Sequence, residues 1–332
     1  MIARAAFLKL VGAATAVGTG GLDIWDPPSP QIRVLVASDT HGEIPNVGAD
    51  GTFAFGGKRW RGAPSTVGTG NGKFLLVTTI EVDAYLQGVV PLESPPSWPS
   101  AALEAQAIVA RTFALARRSL SRPYDVQANE SDQRWGGVDA EHPAATAAIR
   151  ASRGKTLRFG GGPASVFYSA CCGGHTADVA AVWNGAPLPY LRGVVDPYCL
   201  PAPEYRWERA VPLDRAVTAF GARTGGTLTG TALGEPDSTG RPRTVALMGT
   251  TTTTLPVADF RRMLGYDVVR SLWLRSVRID ASQAVPRLLI EGSGRGHGVG
   301  LCQWGAKFFA ASGASAAEIL AFYFPGTMVT SG

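Results

Sequence analysis

Glu93 is the residue whose surroundings best suit acid catalysis. It lies in residues 89–98, where three prolines and Trp98 form a predicted loop just before a helix. Apolar neighbours desolvate a carboxyl group and raise its pKa, and a protonated carboxylic acid can donate its proton to a glycosidic oxygen. The nearby helix N-terminus would favour the anion instead. A single glutamate in a loop can also be an ordinary solvated surface group, so both interpretations stay open at this point.

A second segment combines thiols, paired glycines and a histidine. Residues 168–176 read Tyr-Ser-Ala-Cys-Cys-Gly-Gly-His-Thr, and paired glycines let the backbone approach a ligand or another element closely. Cys172, His175 and the distant Cys199 are residue types that bind zinc, although their spacing is not a zinc signature. In an exported protein a Cys172–Cys199 disulfide is the preferred interpretation, with zinc and free thiols as the alternatives. Cys302 is interpreted as a buried thiol.

A third segment is rich in glycine and opens a predicted helix. Residues 294–305 read Gly-Arg-Gly-His-Gly-Val-Gly-Leu-Cys-Gln-Trp-Gly, and amides at a helix start can hold an anion or a sugar oxygen. His297 is a candidate hydrogen-bond donor to a substrate. Gln303 and Trp304 could supply a hydrogen bond and a sugar-stacking face, or could belong to the core. The glycine spacing does not match the dinucleotide-binding fingerprint.

Several enzyme classes have little support in this sequence. It contains neither a Gly-x-Ser-x-Gly elbow nor a His-Glu-x-x-His motif, which argues against serine hydrolases and zinc proteases of those types. A net charge of +5 fits an anionic partner such as a cell-wall polymer or a membrane surface, and ordinary solubilising surface charge is the alternative cause. We do not expect nucleic-acid binding, because no dense Lys/Arg run with interleaved aromatic residues is present.

The N-terminus predicts export. Residues 1–30 combine a basic start, small and apolar residues and a proline-rich linker, which is typical of an export signal followed by a spacer. An unstructured cytoplasmic leader is the alternative. No later stretch has the roughly 18 apolar residues that a membrane-spanning helix needs, so membrane association would come only from an uncleaved leader. We therefore expect the protein in the cell envelope or outside the cell.

The elements that must position these segments predict an α+β fold without regular βαβ alternation. Alternation and β-branched residues predict a small β-rich part over residues 31–80, followed by a core over residues 81–330. A helix is predicted over 98–120, with Ser97 as its cap and Pro99 in its first turn. Further elements are predicted as helices over 257–264 and 302–311, strands at 278–279 and 287–291, and a capping box at 315–318 that starts a last helix.

Taken in order, these segments resemble the SpoIID/LytB family, which comprises stage II sporulation protein D and its amidase-enhancer relatives. The resembling stretches follow one another along nearly all of residues 32–330. They are residues 85–93, 98–112, 124–125, 169–176, 189–191, 296–306, 318–320 and 323–326. The resemblance implies a SpoIID-like α+β fold with a β-rich core and a few helices.

The resemblance also implies a reaction. Family members with shown activity resemble lytic transglycosylases that act on peptidoglycan strands stripped of their peptides. The family's catalytic acid matches Glu93, which would protonate the oxygen between two sugars and later take a proton back from the 6-hydroxyl of the muramic acid. No attacking water is activated, so the pair of carboxyls used by hydrolases is not required. No cofactor is required either, and zinc remains an alternative at the cysteines.

Two other functions compete with this hypothesis. A non-catalytic, peptidoglycan-binding activator of an N-acetylmuramoyl-L-alanine amidase would bind the same strands and tolerate loss of Glu93. An envelope scaffold would show no saturable glycan binding. Peptidoglycan strands are the expected partner in the first two cases, and a cell-wall amidase is a partner in the second.

Besides Glu93, the matched segments imply a set of substrate-binding positions. They are Trp98, Gln106, Arg111, Ser169, Gly173, Gly174, Thr176, Gly296, His297, Gly298 and Gln303. The chain departs from the family at Tyr168, where a histidine is common, and at Ser94, where methionine is common. The first departure weakens the expectation of a metal site.

Overall fold

The computed structural model describes residues 29–282 and 284–331. Residues 1–28, which make up nearly all of the export signal and linker predicted at 1–30, lie outside them. The helices are α1 (Val82–Glu93), α2 (Ser100–Ala116), α3 (Pro143–Ala151), α4 (Val179–Trp183), α5 (Leu213–Thr224), α6 (Val257–Leu264), α7 (Gln303–Ala311) and α8 (Ala316–Tyr323). In the described ranges no helix is both long and apolar enough to cross a membrane.

The strands form several small sheets. The first six are β1 (Gln31–Thr40), β2 (Thr52–Phe55), β3 (Lys58–Arg61), β4 (Ala63–Gly70), β5 (Lys73–Glu81) and β6 (Val126–Gln127). Next come β7 (Lys155–Phe159), β8 (Gly162–Pro163), β9 (Tyr168–Ser169), β10 (Trp207–Pro212), β11 (Gly230–Leu233) and β12 (Thr244–Met248). The last are β13 (Thr252–Pro256), β14 (Trp273–Asp280), β15 (Arg287–Ser293), β16 (Leu301–Cys302) and β17 (Met328–Ser331).

The predicted fold class is confirmed, because antiparallel pairing dominates and regular βαβ units are not seen among the described residues. The N-terminal sheet has the strand order β4-β5-β1-β6, and β10-β15-β14 and β11-β12-β13 form two further sheets. Two parallel pairs join distant parts of the chain: β1 with β6, and β9 with β16. The second pair sets Cys302 beside Ser169, and this single contact brings two of the candidate segments together.

The long helix begins and ends inside its predicted range. α2 starts after Pro99, which occupies the N-cap position, and no side chain caps it, so the predicted cap at Ser97 is wrong. Proline at this position loses no helical hydrogen bond, because the first backbone N–H groups of a helix have no partner within it. Its many alanines let α2 pack closely against α1, α3, α7 and α8. α2 therefore lies at the centre of the first core, with these four helices packed around it.

Glu93 does not lie in a loop, as the sequence predicted. It is the last residue of α1, which contains Pro91 in its final turn and ends with the Ser94 N–H bonded to the Val90 carbonyl at 2.9 Å. Because the carboxyl stands at the C-terminal end of a helix, the helix dipole disfavours its anion. This helix therefore acts on Glu93 in the same direction as burial.

Two large hydrophobic cores, beside a small cluster around Trp98, hold most of the buried apolar residues in the described ranges. The first draws on residues between Ile32 and Ala202 and again between Val299 and Phe324. The second draws on the intervening chain from Trp207 to Ile290, where Phe220 stacks on Phe260 at 5.2 Å. The predicted boundary near residue 80 stays a prediction. The chain thus leaves the first core, builds a second one, and returns with the glycine-rich segment.

Candidate functional site

A cleft of about 660 Å³ opens beside the end of α1. Four predicted site residues line it: Glu93, Ser169, Gly296 and His297. The remaining lining residues were not predicted as site residues; they are Phe113, Arg117, Glu130, Ser131, Asp132, Arg134, Phe167, Tyr168, Trp183 and Tyr266. The cleft thus combines three carboxyl groups, those of Glu93, Glu130 and Asp132, with arginines and aromatic rings.

Among the carboxyl groups that line the cleft, Glu93 is the one at the end of α1. Burial raises its pKa above the ordinary value. Hydrogen bonds from the Gln303 side chain, the Arg134 backbone and the Tyr168 hydroxyl oppose this effect without cancelling it. The Gln303 Nε2 atom lies 3.4 Å from Glu93 Oε2, at the long end for such a bond. The carboxyl therefore keeps its proton to a higher pH than an exposed glutamic acid does.

Tyr168 lines the cleft and interacts with Glu93, although the sequence did not predict it as a site residue. Its hydroxyl bonds to the Glu93 carboxyl and accepts a hydrogen bond from Gln133 Nε2 at 3.2 Å. The Gln133 Oε1 atom in turn accepts from the Tyr85 hydroxyl at 3.4 Å. The unusual residue type at position 168 was noted as a departure from the family, but its contact with Glu93 was not predictable from local sequence.

Two glutamines connect the cleft to α2. Gln303 Nε2 lies 3.4 Å from Gln106 Oε1 as well as from Glu93. Within the described residues, the buried Gln106 Nε2 and Ser169 Oγ atoms have no hydrogen-bond partner. Buried polar atoms are usually paired, so these two atoms mark a polar wall that still has hydrogen-bonding capacity.

His297 lines the cleft, but its ring nitrogens are already engaged. Nδ1 accepts the Val299 N–H at 3.0 Å, and the ring also bonds to the Tyr168 backbone. Burial, followed by the positive charge of Arg261, lowers its pKa to about 4. The ring contacts Trp183 at 5.1 Å between centroids. His297 is therefore neutral and holds the glycine-rich loop in shape, and its role as a substrate donor stays a prediction.

Arg111 and Thr176 do not face the cleft, in contrast to the prediction. The buried Arg111 guanidinium binds Asp83 at 2.7 Å and donates to backbone carbonyls, including that of Ser152 at 2.8 Å. A buried cation requires such partners, which makes Arg111 a structural anchor. Thr176 is also buried, and its hydroxyl accepts the Val194 N–H at 2.8 Å.

Trp98 and three of the predicted glycines also lie outside the cleft lining. Trp98 packs against Trp304, with their ring centroids 5.1 Å apart. A side-chain carbon at Gly173 would meet Ser293 backbone and side-chain atoms at 2.7 Å, and one at Gly174 or Gly298 would also be crowded. These glycines allow two backbone segments to pack closely. Of the two roles expected for them, close approach to another element and close approach to a ligand, the structure shows the first.

The thiols form a cluster behind the cleft wall. The thiols of Cys172, Cys199 and Cys302 and a carboxylate oxygen of Asp196 all lie within 4.8 Å of one another, and all four residues are buried. The preferred disulfide is not formed, since Cys172 Sγ and Cys199 Sγ are 3.5 Å apart and both are thiols. Asp196 was not predicted, because nothing in its local sequence marks it.

His175 does not belong to this cluster, which corrects the predicted ligand set. Its Nδ1 atom lies 2.6 Å from the Thr176 carbonyl oxygen, so a local backbone contact holds the ring. Cys302 takes the place that His175 was predicted to fill. The parallel pairing of β16 with β9 brings Cys302 there from a position 130 residues further along the chain than Cys172.

Comparison with known proteins gives consistent matches. Residues 70–159, which include Glu93 and α2, match the family described as SpoIID, stage II sporulation protein. An uncharacterized protein of Brachyspira hyodysenteriae is 30% identical over 77% of this chain and 68% of its own length. Stage II sporulation protein D of Bacillus amyloliquefaciens is 29% identical over 76% of this chain and 75% of its own length. The amidase enhancer of Bacillus subtilis is 29% identical over 74% of this chain and 40% of its own length.

Proposed function

This chain belongs to the SpoIID/LytB family, and from that premise we propose that it is a lytic transglycosylase of the cell wall. The substrate is the glycan strand of peptidoglycan, stripped of its peptides. Such a substrate lies outside the cytoplasmic membrane, in agreement with the predicted export signal. No cofactor takes part in the reaction.

One observation carries this proposal: a half-buried carboxyl with a raised pKa faces a cleft large enough for sugar rings. Burial and the C-terminal end of α1 both favour the protonated form of Glu93. A general acid works best when its pKa is close to the working pH. At neutral pH an exposed glutamic acid has already lost its proton and cannot act as a general acid.

The reaction needs only this one carboxyl. Glu93 donates its proton to the oxygen between the two sugars, and the bond from that oxygen to C1 of the muramic acid breaks. The 6-hydroxyl oxygen of the same muramic acid bonds to C1, and its proton passes to the Glu93 carboxylate. The products are a strand with a free hydroxyl and a strand that ends in a 1,6-anhydro sugar. Water is neither consumed nor activated.

The surroundings of Glu93 suit these steps. When Glu93 gives up its proton, the hydroxyl of Tyr168 and the amide of Gln303 stabilise the new carboxylate by hydrogen bonds. The exposed aromatic rings of Trp183 and Tyr266 border the same cleft. Such rings offer flat apolar surfaces to the apolar faces of sugars.

Activation of an amidase is the second candidate function. It is supported by the similarity to the amidase enhancer of Bacillus subtilis. The match covers 40% of that protein, so its partner and action are not transferred to this chain as a whole. An activator needs the glycan-binding surface but not the acidity of Glu93, and this difference separates the two functions.

The decisive experiment incubates the purified protein with peptide-free glycan strands and measures anhydro-muramic ends by mass spectrometry. We expect Glu93→Gln to lower the rate by about 100- to 10,000-fold, the usual contribution of a general acid. Glu208→Gln is the matched control, because Glu208 is exposed on β10 of the second core. Far-ultraviolet circular dichroism checks that both variants are folded.

Two outcomes would contradict the enzyme assignment. Equal amounts of anhydro product from wild type and Glu93→Gln would remove Glu93 from the mechanism. If wild type gave no anhydro ends and both proteins stimulated a cell-wall amidase equally, the activator function would replace the enzyme.

A further inference from the structure

The four-residue cluster behind the cleft has the composition of a metal site. Cys172, Cys199 and Cys302 come from three separate parts of the chain, and Asp196 joins them from the loop before Cys199. All four are at most 1% exposed. Three thiols and one carboxylate are not an apolar core, so some interaction must favour bringing these groups together away from water.

The spacing of the cluster fits one small tetrahedral ion. Sulfur ligands about 2.3 Å from zinc lie about 3.8 Å from one another in a tetrahedron. Cys172 Sγ is 3.5 Å from Cys199 Sγ and 3.1 Å from Asp196 Oδ2, and every pair in the cluster is within 4.8 Å. A Cys172–Cys199 disulfide would use two of these groups and leave Cys302 and Asp196 without a role.

The groups around the cluster are those that support bound thiolates. The Cys302 sulfur accepts the Cys172 N–H at 3.2 Å and the Gly305 N–H at 3.4 Å. The Tyr323 hydroxyl donates to Asp196 Oδ2 at 2.9 Å. Hydrogen bonds of this kind orient metal ligands and stabilise their negative charge.

A buried cation lies beside the cluster. The Arg241 guanidinium comes from the second core and donates to the Cys172 carbonyl at 3.0 Å. Three thiolates and one carboxylate around a divalent ion leave an excess of negative charge, and a nearby arginine reduces the cost of burying it.

We propose that Cys172, Asp196, Cys199 and Cys302 bind one structural zinc ion. Thiolate ligands favour zinc over magnesium or calcium, and four buried protein ligands leave no open position for a substrate. The ion joins the segment after β9, the loop at 196–199 and β16. It thereby holds the wall that carries Ser169 and Gln303. This site is independent of whether Glu93 catalyses glycan cleavage.

The first test measures metal content in the full-length protein, purified without chelators, by inductively coupled plasma mass spectrometry. We expect about one zinc per chain in wild type. Cys199→Ser, Cys302→Ser and Asp196→Asn are each expected to lower zinc retention at least about tenfold, the typical loss for a disturbed metal shell. Cys171→Ser is the discriminating variant. Its thiol contacts Cys199 and Cys302 but lies outside the mutual set, so this variant should keep its zinc.

The second test does not depend on variants that could fail to fold. Wild-type protein loaded with Co²⁺ in place of zinc should show thiolate-to-cobalt absorption in the near ultraviolet and the strong visible bands of a tetrahedral site.

Three results would overturn the proposal. They are wild-type protein that binds neither zinc nor cobalt, a Cys172–Cys199 disulfide in the non-reduced protein by mass spectrometry, and zinc lost in Cys171→Ser but kept in Asp196→Asn. The last result would replace Asp196 by Cys171 as a ligand.

Discussion

Glu93 and Asp196 are both carboxyl groups whose pKa is raised by burial, yet their surroundings suit opposite tasks. Asp196 is 1% exposed, so no substrate can reach it from solvent. Its Oδ1 atom accepts the N–H groups of Tyr198 and Cys199, and its Oδ2 atom accepts the hydroxyl of Tyr323. Glu93 instead faces an open cleft. A raised pKa alone therefore does not identify a catalytic acid, which must also be able to reach a substrate.

The two regions share one wall. Cys302 contacts the thiol cluster while the next residue, Gln303, reaches Glu93. Ser169 likewise lines the cleft, three residues before Cys172 in the cluster. Neighbouring residues in one segment thus serve a closed structural centre and an open site. Damage to the cluster should first affect stability, whereas damage to the cleft should first affect turnover.

The largest effect of this kind is expected for Gly305→Ala. An added methyl group would overlap the Tyr323 hydroxyl and Asp196 Oδ2, and overpacking of this kind costs about 3 kcal/mol. Thermal and urea unfolding should show the loss, while turnover per folded molecule stays close to wild type. Gly68→Ala is the control, since its side chain would enter open space at negative φ. Unchanged stability of Gly305→Ala would contradict the tight packing of the cluster.

A smaller effect, on turnover, is expected for Tyr168→Phe. The variant loses the hydroxyl that stabilises the Glu93 carboxylate. A hydrogen bond to a charged group contributes about 1.5–3 kcal/mol, which corresponds to about a 10- to 100-fold lower rate of anhydro-end formation. The pKa of Glu93 should rise further, because a bond that favours the anion is gone. Tyr85→Phe, whose hydroxyl bonds to Gln133, should leave that pKa in place.

The smallest change is expected from pH, which tests the cleft without altering any residue of the thiol cluster. Because the free enzyme must carry a protonated Glu93, kcat/KM should be constant at acidic pH and fall about tenfold per pH unit above the raised pKa of Glu93. His297, with a pKa of about 4, stays neutral through this range and adds no second transition near pH 6.5. A decline that begins at the ordinary pKa of an exposed glutamic acid would argue against the desolvated acid.

Local signals in the sequence predicted several elements correctly. The capping box between Ser315 and Glu318 starts α8, α6 has the predicted bounds 257–264, and β14 pairs with β15. Each depends on residues close together in the chain, so neighbouring side chains and backbone contain enough information. The ordered motifs also identified the family, whereas the catalytic role of Glu93 that they imply stays a prediction.

Only the tertiary structure decided which side chains meet. The parallel pairing of β9 with β16 places Cys302 near Cys172, and the end of α1 brings Glu93 to Tyr168. The same packing buries Arg111 against Asp83, away from the cleft. These contacts join residues that are 28 to 130 positions apart. They depend on how whole elements pack, and the spacing of residues within one segment contains no information about that packing.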